Sequence, residues 1–125
     1  MNLTVLPNSP IPAYRQLYDQ IAFGVLSGEL APNTALPSIR TVAKELGISV
    51  ITVRSAWEAL TEDGYIESKA GSGCFIAPLD QETIGKLKAD ALKAPLSELV
   101  RTAESLKLTK IELIEIIEKS IAVPE

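Results

Sequence analysis

Residues 39–56 read Ile39-Arg40-Thr41-Val42-Ala43-Lys44-Glu45-Leu46-Gly47-Ile48-Ser49-Val50-Ile51-Thr52-Val53-Arg54-Ser55-Ala56, and this stretch decides the fold. Ile39, Val42, Ala43 and Leu46 recur at helical spacing, Ser38 can cap the start of that helix, and Gly47 stops it. Ser49 then caps a further helix, in which Val53, Ala56, Trp57 and Leu60 share one face until Gly64 ends it. The connection Leu46-Gly47-Ile48-Ser49 is too short for anything but a sharp crossing. Ala43 is small where the helices approach, while Ile48 and Val53 plug the angle between them. An alanine, a glycine four residues on and a branched apolar residue six further on form the helix-turn-helix arrangement. Such a pair holds its second helix rigidly proud of the surface.

Upstream, Met1 to Pro12 carries three prolines (Pro7, Pro10, Pro12) and reads as extended chain, with Pro12 placed for the first turn of a helix. Tyr14, Leu17, Tyr18, Ile21 and Val25 give that helix one apolar face, and Gly28 ends it. Leu30 to Pro37 is predicted as a loop turned at Asn33, because Asn tolerates left-handed dihedrals. Downstream, Tyr65–Ser68 and Cys74–Ala77 flank the connector Lys69-Ala70-Gly71-Ser72-Gly73 and predict a hairpin. The tail, from Leu79 on, has no aromatic residue and one glycine, Gly85. Ile84, Leu87, Ala91, Leu92, Leu96, Leu99, Val100, Ala103 and Leu106 form a helical stripe that Pro95 must kink or break. Thr109-Lys110-Ile111-Glu112 is a capping box opening a last helix, with Leu113, Ile114, Ile117 and Ile121 facing inward.

The 125 residues, 46% hydrophobic and 22% charged, suffice for a real core. Histidine is absent, which removes the commonest general base and the commonest metal ligand. The single cysteine, Cys74, can form neither an internal disulfide nor a zinc cluster, which suits a reducing cytoplasm. No run of 18 apolar residues or leader-like N-terminus occurs, so no membrane association is expected. An enzyme fits poorly: nothing can activate Cys74 or the scattered serines, and Glu112, Glu115 and Glu118 read as a solvated face. No cofactor and no metal are expected.

With its apolar face buried, the helix after Ser49 presents Val50, Ile51, Thr52, Arg54 and Ser55 in its first two turns. Thr52 and Ser55 offer hydroxyls to phosphates or bases, Arg54 a planar fork that matches guanine, and Val50 and Ile51 apolar contact for a thymine methyl. Exposed apolar side chains also suit a protein interface. A tip of Gly71, Ser72 and Gly73, with Lys69 at its shoulder, can approach a sugar-phosphate backbone closely, or can simply satisfy turn geometry.

In this order the parts resemble the winged-helix DNA-binding domain of GntR-family transcription regulators. The residues that carry the resemblance are Gly28 with Leu30, Leu36-Pro37-Ser38-Ile39-Arg40, Ala43 with Leu46-Gly47-Ile48-Ser49, and Thr52-Val53. Trp57-Glu58-Ala59-Leu60, Gly64-Tyr65-Ile66 and Gly71-Ser72-Gly73-Cys74-Phe75-Ile76 complete it, over about Ile11 to Ala77. The short helical tail resembles the small YtrA-like branch, which suggests control of transport genes. The resemblance implies a mainly α (α+β) fold, with a winged helix-turn-helix domain over 11–79 and a C-terminal helical dimerisation region over 80–125. It implies that Arg40, with Thr41 beside it, contacts DNA at the groove mouth and that Thr52 and Arg54 enter the major groove. Ser38 and Ser49 would donate to phosphates, and Gly71 would let the wing sit in the minor groove. Val50 stands where the family often has arginine or asparagine, Asn33 where it usually has glycine, and Lys107 where a helix-ending glycine is common.

Charge argues the other way. The first 78 residues hold five basic and seven acidic side chains, a poor footprint for a polyanion. Few phosphate contacts per subunit make single-copy binding weak, so two subunits are expected on one operator. The stripes Leu92, Leu96, Leu99, Val100, Ala103, Leu106 and Leu113, Ile114, Ile117 supply the means. Two helices cannot bury both stripes, and a homodimer is favoured over folding back on the winged helix. The expected function is a homodimeric repressor of a palindromic double-stranded operator; the alternative is a winged-helix protein-interaction module that does not bind DNA. Whether a small-molecule effector exists stays open.

Overall fold

Three helices, α1 (Ala13–Ser27), α2 (Ile39–Leu46) and α3 (Val50–Glu62), precede an antiparallel hairpin of β1 (Ile66–Lys69) and β2 (Gly73–Ile76). Two helices follow, α4 (Gln81–Ser105) and α5 (Lys110–Ser120). This is the computed structural model of the chain, and it describes residues 1–121. The fold is mainly helical with a small β wing, as the sequence predicts, and it divides into two units between Ile84 and Gly85.

In the first unit α3 is the hub: α1 and α2 both pack on it, and it packs on β1. Leu17 and Ile21 from α1, Val53 and Leu60 from α3, Ile66 and Ile76 from the hairpin are fully buried, with Val42, Ala43, Ala56 and Trp57 around them. Each buried Val, Leu or Ile among them contributes about 1.5–3 kcal/mol by leaving water, so the orientation of α3 is fixed from three sides. The turn into α3 requires Gly47, whose φ of +66° is left-handed. Ile48 N–H there donates to Ala43 O at 3.0 Å. Asn33 turns the upstream loop with φ +65°.

Three features depart from the sequence reading. The strands sit one residue closer to the tip, with Lys69 opposite Gly73 and only Ala70-Gly71-Ser72 between them. The segment read as a loop also pairs with the wing. Asn33 N–H donates to Ile76 O at 2.8 Å, Ile76 N–H to Thr34 O at 2.8 Å and Leu36 N–H to Cys74 O at 2.9 Å, with Ala35 bridged to Phe75. Pro32 and Pro37 bracket this run and leave it too short to show an alternating pattern. The proline-rich N-terminus, finally, is strapped to α1 by two carboxamides. Gln16 bonds Leu6 N–H at 2.8 Å and Ile11 O at 2.8 Å, while Gln20 bonds Thr4 N–H at 3.0 Å and Thr4 O at 2.6 Å.

In the second unit α4 runs through Pro95 unbroken. Pro95 cannot donate to Ala91 O, but both residues are exposed, so water can satisfy that carbonyl. Lys107 takes φ +58° after α4, in the role usual for glycine. The capping box forms: Thr109 Oγ1 accepts from Glu112 N–H at 3.2 Å and Glu112 Oε1 from Thr109 N–H at 2.9 Å. The Thr109 N–H first, and then the Thr109 hydroxyl, hold the Glu112 carboxyl below its ordinary pKa. Of the residues expected to face inward from the last helix, Leu113 and Ile117 are half-buried, whereas Ile114 is exposed and Ile121, just past α5, is 63% exposed. A two-helix unit has too little surface to cover them.

Candidate nucleic-acid interface

Both helices of the turn begin in the same way. Ser38 Oγ accepts from Thr41 N–H at 3.1 Å and donates to Thr41 Oγ1 at 2.7 Å. Ser49 Oγ accepts from Thr52 N–H at 3.0 Å, with its oxygen 2.8 Å from Thr52 Oγ1. A serine and a threonine three residues apart therefore fix each helix start, and each pair keeps hydroxyl hydrogen-bonding capacity at a helix end that carries partial positive charge.

The start of α2, the wing-side flank of α3 and the wing tip enclose a groove of about 460 Å³. Of the predicted DNA-contacting residues it gathers Ser38, Arg40, Val50, Arg54, Ser72 and Gly73. Arg40 and Arg54 are exposed, and neither has a carboxylate partner among the described residues. Ile51, 71% exposed, and Ser55 lie on the outward side of α3. Val50 and Thr52 are half-buried rather than fully outward, Val50 because it lines the groove and Thr52 because its hydroxyl is held by Ser49.

At the wing, Gly71 and Gly73 have φ of +75° and +94°, and Ser72 N–H closes the turn on Lys69 O at 2.9 Å. The Lys69 ammonium lies 4.7 Å from the centre of the Phe75 ring, which steadies it without neutralising it. A neighbouring hollow of about 490 Å³ borders Arg54 on its other side and contains Glu58 and Glu62. Along α3 the charge therefore changes from cationic at Arg54 to acidic towards the C-terminus.

The far end of α3 is tied down by Tyr18, whose hydroxyl donates to the Asp63 carboxylate, and whose ring meets Tyr65 edge-on at 5.9 Å. Burial first, and then the bond to Asp63, pushes the Tyr18 phenol well above its ordinary pKa. Five groove residues escape the sequence reading as site residues: Leu36 and Pro37 at the approach to α2, Ile39 at its start, Trp57, which periodicity assigns to the core, and Cys74, which reads as a strand residue. Only the order of α3 and wing in the chain could have placed Trp57 and Cys74 there. Among the residues of α4 and its end predicted to pair two subunits, Leu92, Leu96, Leu99, Val100 and, just past the helix, Leu106 are exposed, and Ala103 is buried.

Residues 13–76 match the family described as bacterial regulatory proteins of the gntR family. The chain is 32% identical over 104 residues to the HTH-type transcriptional regulator YhcF of Bacillus subtilis, covering 83% of this chain and 85% of YhcF. To the HTH-type transcriptional repressor YtrA of the same organism it is 31% identical over 94 residues, covering 75% and 72%. It is 38% identical over 77 residues to the probable rhizopine catabolism regulatory protein MocR of Rhizobium meliloti, covering 62% of this chain but only 16% of MocR. Among solved structures, a GntR family transcriptional regulator from Listeria monocytogenes superposes with a TM-score of 0.77 at 23% identity, over 91% of this chain and 99% of that one. The AraR DNA-binding domain in complex with operator ORX1 gives a TM-score of 0.54 at 28% identity, over 62% and 99%. The match to residues 13–76, the two near-full-length relatives and the winged-helix architecture together place this chain in the GntR family of regulators, in its YtrA-like branch.

Proposed function

We propose that the chain, a DNA-binding transcription regulator by its family, is a homodimeric repressor of a two-fold symmetric duplex site. In each subunit the first turns of α3 enter the major groove and the wing tip lies in the adjacent minor groove. The observation that carries this reading is the groove between α2, α3 and the wing, where two uncompensated guanidiniums stand beside capped helix starts. Arg54 reads base edges, with Ile51, Thr52 and Ser55 around it. Ser38, Arg40, Thr41, Ser49 and Lys69 hold backbone, and Gly71, Ser72 and Gly73 allow the wing to approach closely.

Residues 11–79 form the DNA-binding part and 80–125 the dimerisation region. The exposed stripe Leu92, Leu96, Leu99, Val100 and Leu106, with Leu113, Ile114 and Ile117, supports pairing with a second copy. Pairing answers the charge objection, because tethering two modules that each offer few cations multiplies their effective affinity. No described helix is long and apolar enough to cross a membrane. Relatives carry the names of regulators and repressors, which supports a non-enzymatic role in the cytoplasm, by occupation of a promoter.

Selection of bound fragments from a random duplex pool tests this reading. The expected enrichment is a palindrome with half-sites about one helical turn apart. Enrichment of a single unsymmetric site, or of nothing, would refute it.

A further inference from the structure

Trp57 is the chain's one tryptophan and is 3% exposed. Among the described residues no group accepts a bond from its indole N–H; the bond the residue does make is at its carbonyl, from Thr61 Oγ1. Among the described residues no fully sealed side-chain nitrogen lacks a partner, so this unpartnered indole nitrogen is not completely sealed from solvent. A buried tryptophan normally finds an acceptor for its N–H. Here the ring borders the groove that also holds Ser38, Arg40, Arg54 and Ser72. It borders the hollow with Glu58 and Glu62 as well, but carboxylates there repel an anion, whereas the two guanidiniums attract one.

We propose that the Trp57 indole N–H donates to a backbone phosphate of the bound duplex, seated in the groove between α3 and the wing. The inference rests on the reading of α3 and the wing as the DNA-contacting elements. Its geometry follows from that reading. If α3 occupies the major groove and the wing the adjacent minor groove, the strand dividing those grooves must cross the space between the two elements. That space is this groove. Arg40 and Arg54 supply charge, Ser38 and Ser72 hydroxyls, and Trp57 a donor fixed by the core. Such a donor is already ordered before binding, so it adds affinity without side-chain entropy loss.

The test replaces Trp57 with 3-benzothienylalanine, which keeps the bicyclic shape and puts sulfur where the N–H was, and compares it with Trp57→Phe. Both are titrated against the operator obtained by selection, and against the same duplex with single methylphosphonates stepped along the strand between the grooves. The thermal unfolding midpoint of each variant is measured alongside. The expected result is an affinity loss of about tenfold or more per subunit for the benzothienyl variant, uniform across sequences, with an unchanged salt slope and unfolding midpoint. One methylphosphonate position should weaken the wild type strongly and the variant little. Wild-type affinity in the benzothienyl variant, or losses that simply add at every methylphosphonate position, would overturn the proposal. If Arg54→Ala weakens binding while the benzothienyl variant does not, only this proposal fails. If Arg54→Ala also binds as wild type, the underlying assignment of α3 falls with it.

Discussion

In the proposed function base reading depends on Arg54, which is exposed, has no carboxylate partner among the described residues, and lies on the flank of α3 that lines the groove. Arg54→Ala should weaken operator binding by about 1–3 kcal/mol and relax preference at one base position, measured by competition against singly substituted duplexes. A change confined to affinity, with the base preference intact, would make it a phosphate contact. Tyr18 gives a residue-scale prediction about stability. Its phenol is raised in the folded state, so the contribution is complete below the ordinary phenol pKa of about 10 and fades as pH rises through the folded value. Unfolding midpoints measured above pH 10 should therefore fall more steeply for wild type than for Tyr18→Phe. Parallel curves would mean that Tyr18 and Asp63 do not hold α1 to the end of α3. Spacing in the sequence shows Tyr18 as part of an apolar face, but its partner lies 45 residues away and leaves no local trace.

At the level of elements, the helices and their caps were readable because their signals are local. Ser38, Gly47, Ser49 and Thr109 each act within four residues, and each occupies the position its chemistry predicts. Ser49→Ala should cost about 1 kcal/mol, seen in denaturant unfolding, and should also weaken DNA binding because it frees the start of α3. What the sequence hid is non-local. The pairing of Asn33–Leu36 with β2 depends on partners 38 and more residues away, and the glutamine strap on α1 binds backbone, which carries no sequence signature. The groove was legible only in part. Its polar rim follows from motif order, whereas Trp57 looks like any core aromatic until the wing is folded beside it. Pro95 is the element-scale surprise, since α4 passes through it. Pro95→Ala should raise the stability of the tail, by up to about 3 kcal/mol, read as a higher unfolding midpoint; an unchanged or lower midpoint would show that the proline is needed where it stands.

For the whole molecule, the proposed pairing would account both for the acidic balance of the binding unit, whose first 78 residues hold five basic and seven acidic side chains, and for the exposed stripe along α4. Leu96 is 55% exposed in the single chain and lies within that stripe. Leu96→Glu should leave the winged helix folded, yield a single-subunit species by light scattering, and reduce operator affinity to that of one half-site. Retention of full affinity by such a species would remove the dimer from the mechanism. The central claim is that two copies present α3 and wing to one face of a duplex, and hydroxyl-radical cleavage of the selected operator tests it directly. Protection should fall in two patches related by two-fold symmetry, centred about one helical turn apart and extending into the flanking minor grooves. A single unsymmetric patch, or cleavage unchanged at saturating folded protein, would contradict the account.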